Sequence, residues 1–162
     1  MIKNKAISRM DAIEELKKYQ IKGADVYLID IIPIIEMIWA DGMAQKNEIK
    51  IFYNYLKKHV AKINIMAGYT LLTIEKTKKF LKRFMDKRPD PDLMRTLRKL
   101  IEPVRLNTSD KKAVNLLKSS LLATCLDIAS SSIRQYPDGI KDRFDLDEKR
   151  CFFEILETME KS

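Results

Sequence analysis

Apolar residues crowd one stretch of the chain. From Val26 to Ala40 the sequence reads VYLIDIIPIIEMIWA, apolar on nearly every side of a helix and interrupted only by Asp30, Pro33 and Glu36. A helix apolar all round belongs in the middle of a domain. The pattern predicts one buried helix from Ala24 or Asp25 to Asp41. Pro33 offers no N–H to the Ile29 carbonyl, so a kink is expected there. Gly42 supplies the left-handed residue that ends the helix.

The flanking segments show one-sided helical periodicity. Ser8 caps a first helix with Ile13, Leu16 and Tyr19 inward, and Gly23 is expected to stop it. A helix from Gln45 or Lys46 to Gly68 carries the stripe Ile49, Phe52, Tyr53, Leu56, Val60 and Ile63. The next begins at Thr73, with Ile74, Phe80, Leu81, Phe84 and Met85 inward. Asp90-Pro91 opens a fifth helix reaching Val104, since Asp is a good N-cap and Pro suits the first helical position. The sixth runs from about Asp110 to Ser131, with the preceding Asn107-Thr108-Ser109 as connection and cap. Tyr136-Pro137-Asp138-Gly139 marks a turn. Asp145 and Glu148 form a capping box for the last helix, packed through Phe152, Phe153, Leu156 and Met159. The fold expected is all-α: a compact single-domain bundle of about seven helices spanning 1–162.

Composition changes this picture little. A chain of 162 residues can build its own core, and Cys125 and Cys151 sit within helical patterns without CxxC spacing, so reduced core thiols are expected. The opening MIKNKAISRM has no apolar leader core, and the run ending at Ala40 is too short and too charged to span a membrane. A cytoplasmic protein is expected. The net charge of +8 is compatible with nucleic acid or another acidic partner.

Two halves resemble each other in outline. PIIEMIWADGMAQKNEIKIFYNYL aligns with ATCLDIASSS followed by RFDLDEKRCFFEILETM. Glu36 falls opposite Asp127, Glu48 opposite Glu148, and Ser132 takes the place of Asp41. Each half is a helix, a turn, and a helix opened by a capping acid, which suits two hairpins packed about a pseudo-twofold axis.

IWADGMAQKNE resembles the ADG…E signature of the TerB-like tellurite-resistance family, and the second hairpin is similar to that family's second half. The resemblance implies a compact helical bacterial protein, linked to tellurite or general chemical stress. The non-enzymatic expectation comes instead from the lack of an activated nucleophile or acid–base pair in the sequence. The resemblance also implies a divalent-cation site built from carboxylates on both hairpins: Asp41 and Glu48 from the first, Glu148 from the second. The second half departs from the pattern, with a longer loop and no aspartate-glycine pair at the helix end. The basic helices between Ile74 and Arg105 look like an insertion to which the resemblance gives no role.

The candidate cation ligands are thus Glu36, Asp41, Glu48, Asp127 and Glu148, for Ca²⁺, Mg²⁺, Mn²⁺ or Zn²⁺. Hard cations want several carboxylate oxygens. Glu48 and Glu148 read equally well as helix caps, and Asp41 as a turn residue. Glu36 and Asp127 are harder to dismiss, because a buried carboxylate needs a partner. An EF-hand is excluded: its front ligand positions would be Met37 and Trp39. His59, the only histidine, reads as a surface residue after two lysines, and no catalytic pairing or phosphate loop stands out. The alternative function is a binding module: Lys78, Lys79, Lys82 and Arg83 in the basic middle would contact nucleic acid or an acidic surface. A protein partner or a second copy of the chain is the expected partner, with nucleic acid second.

Overall fold

The computed structural model describes residues 7–40, 42, 44–131 and 146–160. All regular structure among them is helical. Seven α-helices follow in order: α1 (Arg9–Lys18), α2 (Ile32–Trp39), α3 (Lys46–Ala67), α4 (Ile74–Met85), α5 (Pro91–Lys99), α6 (Lys111–Ser131) and α7 (Leu146–Glu160). A 3-10 helix, Gly23–Ile31, leads into α2, and a π turn, Glu102–Leu106, follows α5.

The central run is therefore not one kinked helix. Pro33 sits in the first turn of α2, where its missing N–H costs nothing. The Ile29 carbonyl takes the Ile32 N–H instead, three residues on, which is the 3-10 pattern. The run is buried as its composition demands: Leu28, Ile29, Ile31, Ile32, Ile34, Ile35, Met37 and Ile38 are all fully enclosed.

α2 packs against α5, α6 and α7, and α3 packs on α6. Exchanging α2 with α6 and α3 with α7 maps the α3–α6 contact onto α7–α2, and the hairpin α2–α3 onto α6–α7. Every one of these contacts is present, as a pseudo-twofold arrangement of two hairpins requires. Among the described residues no helix is long and apolar enough to cross a membrane.

Helix ends follow their local chemistry. Ser8 Oγ accepts from Asp11 N at 3.1 Å, Thr73 Oγ1 from Lys76 N at 3.1 Å, and Asp90 Oδ1 from Asp92 N at 3.1 Å. Asp110, rather than the three polar residues before it, caps α6: its Oδ1 accepts from Ala113 N at 3.1 Å. α1 stops earlier than Gly23 suggests. Gln20 is left-handed, with φ +63. Its N–H bonds Lys17 O, and Ile21 N bonds Leu16 O, both at 3.0 Å, a Schellman motif closed by two buried apolar residues. Phe153, expected to pack inward, is 64% exposed. The turn at 136–139 and the cap at Asp145 lie outside the described residues.

Candidate functional site

The two acids inside the apolar run are answered by two arginines from the segment between the hairpins. Asp30 Oδ2 accepts from Arg105 Nε at 2.8 Å, and Glu36 Oε2 from Arg98 Nη1 at 2.5 Å. The acids rise in number as the arginines fall, so the 3-10/α2 segment and the α5/π segment run in opposite directions past each other. Arg98 is 3% exposed. Its Nε also donates to Thr158 Oγ1 on α7 at 3.0 Å, and Nη2 lies 3.6 Å from Glu154. The apparent insertion therefore supplies counter-charges to the core.

His59 corrects its expected surface placement, being 5% exposed on the inner face of α3. Its Nε2 is 3.1 Å from Tyr27 O and 3.5 Å from Asp30 Oδ2. Both neighbours accept, so Nε2 carries the hydrogen. Its ring stacks on Tyr55 at 5.8 Å, and the Arg105 guanidinium lies 5.2 Å from the Tyr27 ring centre. Burial pushes the Asp30 carboxyl above its usual range, opposed by Arg105 and His59.

The carboxylates expected to share a cation are placed apart in role. Glu36 is committed to Arg98. Asp127 lies on the exposed side of α6, which corrects its expected burial. Glu48 is buried at the third position of α3, where its Oε1 accepts from Gln45 N at 2.9 Å in a capping box. Glu148 is buried at the same position of α7. Asp41 lies outside the described residues. Among the described residues no group of three or more His, Cys, Asp or Glu side chains is placed to hold a metal ion.

A cleft of about 270 Å³ opens beside the Glu36–Arg98 pair, between the end of α2, the α4–α5 link and the start of α7. Glu36, Trp39, Arg88, Met94, Arg150 and Cys151 are among its walls. Trp39 is fixed there by donating Nε1–H to Phe84 O at 2.9 Å. Burial pushes Glu36 up to about 7 despite Arg98, with Glu154 adding to the rise. Burial also pushes the Cys125 and Cys151 thiols up, so neither is an activated nucleophile.

The basic middle divides into two kinds of cation. Arg98 and Arg105 pair with the acids of the central run, and Arg83, though exposed, also bonds within the fold. Arg83 donates to Tyr19 O at 2.5 Å and Gln20 O at 3.5 Å, and its guanidinium lies 4.9 Å from the Phe84 ring centre. It holds the carbonyl end of α1 and its left-handed residue while remaining exposed. Lys76, Lys78, Lys79 and Lys82 are exposed on α4, opposite its buried Thr77, Phe80, Leu81 and Phe84. Periodicity found the α4 stripe. Nothing in the sequence distinguished Arg83, Arg98 and Arg105 from it.

No protein-family model, curated protein or solved structure matches the chain.

Proposed function

We propose that this chain is a non-enzymatic, TerB-like, stress-associated protein of the bacterial cytoplasm that binds a polyanionic partner through the lysine face of α4. One observation carries the α4 face, and the sequence alone supports the rest, with the ADG…E resemblance behind the TerB-like, stress-associated reading. Lys76, Lys78, Lys79 and Lys82 make no ion pair among the described residues. On α1, by contrast, Lys17 and Lys18 are matched by Glu14 and Glu15 at 2.8 and 2.9 Å. A solvated helix face is ordinarily laced with such pairs. The α4 face instead leaves positive charge uncompensated on a helix whose other side is anchored in the core. Long-range attraction of a negatively charged surface follows.

The cation-binding reading draws less support from the geometry. Glu36 is paired with Arg98, Asp127 is exposed elsewhere, and Glu48 closes a helix end.

Heparin retention tests the proposal. Lys78→Glu, Lys79→Glu, Lys82→Glu is expected to elute at markedly lower salt, with an unchanged circular dichroism spectrum. Retention equal to that of the unaltered protein would reject the α4 face.

A further inference from the structure

The cleft at the end of α2 holds a buried acceptor that the fold leaves unused. Glu36 Oε2 is held by Arg98, but Oε1 is out of contact with solvent and has no hydrogen-bond partner among the described residues. The side chain as a whole is only 9% exposed. A carboxylate oxygen left in this state is costly, and the cost is relieved by any donor brought to it.

The rim carries both signs, with Asp147 and Glu154 beside the arginines. Arg88 and Arg150 are exposed at the cleft and make no ion pair among the described residues. Arg88 reaches over Gly42: a Cβ there would meet its Nη1 at 3.4 Å, in van der Waals contact. Arg95, also in the wall, is engaged by Asp92. Trp39, Met94 and Pro91 give the walls apolar surface, and Asp147 and Glu154 also line them. A space of about 270 Å³ lies at the lower limit of small-molecule sites and is too small for a drug-sized ligand.

We infer that this cleft binds a small zwitterion of amino-acid type, its ammonium on Glu36 Oε1 and its carboxylate on Arg88 and Arg150. The two ends of such a ligand answer the unpartnered Glu36 oxygen and the two arginines without an ion pair. A simple anion would satisfy the arginines and leave Glu36 stranded. A simple cation would satisfy Glu36 and leave Arg88 and Arg150 without a counter-charge. Guanidinium forks suit a carboxylate in two-point contact.

Calorimetric titration with ω-amino acids from β-alanine to aminohexanoate tests this, with n-alkanoates of matching length as controls lacking the ammonium. Saturable binding by at least one ω-amino acid is expected, at least about tenfold tighter than its alkanoate. It should be lost in Glu36→Gln and weakened at least about tenfold in Arg88→Ala, Arg150→Ala. No binding by any member of the series at about 10 mM would overturn the inference. So would an alkanoate that binds equally well, or undiminished binding in Glu36→Gln. The rim variant alters only exposed side chains; if Glu36→Gln fails to fold, unchanged binding in the rim variant overturns the inference on its own.

Discussion

Arg98 on α5 and Glu36 on α2 meet at 2.5 Å, Nη1 to Oε2, with the arginine almost wholly enclosed. The same guanidinium reaches Thr158 and Glu154 on α7, so a single side chain ties three helices together. Removing one member of a buried pair leaves the other charge stranded. Arg98→Ala is expected to cost about 3–5 kcal/mol, read from urea unfolding. Replacing both members with methionine is expected to be far milder, within about 2 kcal/mol of the unaltered protein, because no uncompensated charge remains.

The pH dependence of stability has a definite sign. Glu36 holds its proton more tightly in the folded chain, its pKa rising from 4.5 to about 7. Between those values the folded state binds more protons than the unfolded state, so this group makes stability fall as pH rises. Asp30, also pushed upward by burial, contributes with the same sign above 3.8. Urea midpoints measured across the window should decline for this reason, and Glu36→Gln should flatten the decline. A Glu36→Gln profile parallel to the unaltered one would remove Glu36 as the cause.

Asn64 clamps the link between α3 and α4. Its Oδ1 accepts from Leu71 N at 2.9 Å and Leu72 N at 2.8 Å, and its Nδ2 donates to Leu72 O at 2.8 Å. Asn64→Ala is expected to cost about 1–3 kcal/mol through the backbone groups it leaves unmet. Asn64→Asp keeps both accepted bonds and should cost less. Thermal unfolding of the two variants checks the order.

Both cysteines are free thiols, Cys125 buried and Cys151 partly so. With their pKa values raised by burial, little thiolate exists at neutral pH. A chromogenic thiol reagent is expected to react slowly with the native protein and promptly with both groups after denaturation. Fast native reaction of either thiol would contradict this environment.

Much of the fold was legible in local chemistry. The caps at Ser8, Thr73 and Asp90, the left-handed end at Gly68 and the buried central run all follow from residue type and spacing. Three features were not. The Schellman turn at Gln20 uses a residue with no special liking for the left-handed region, held there by Arg83 from another helix. The 3-10 segment reflects how Pro33 divides backbone bonds, which apolar periodicity does not record. The counter-charges of Asp30 and Glu36 lie 75 and 62 positions away in sequence. An arginine bound for the core looks the same in a helical pattern as one bound for solvent. Hence His59 read as a surface residue, and Asp127, outside the core, read as buried.

The most direct test of the α4 face is the salt dependence of binding to a labelled DNA duplex, followed by fluorescence anisotropy. The unaltered protein is expected to lose affinity steeply as salt rises. Lys78→Glu, Lys79→Glu, Lys82→Glu should weaken binding and make the log–log slope shallower by about 0.9 for each phosphate no longer neutralised. Lys17→Glu, Lys18→Glu on α1 should leave the slope unchanged, because those lysines are already paired. Binding that ignores salt, or a slope altered as much by the α1 change as by the α4 change, would contradict the account.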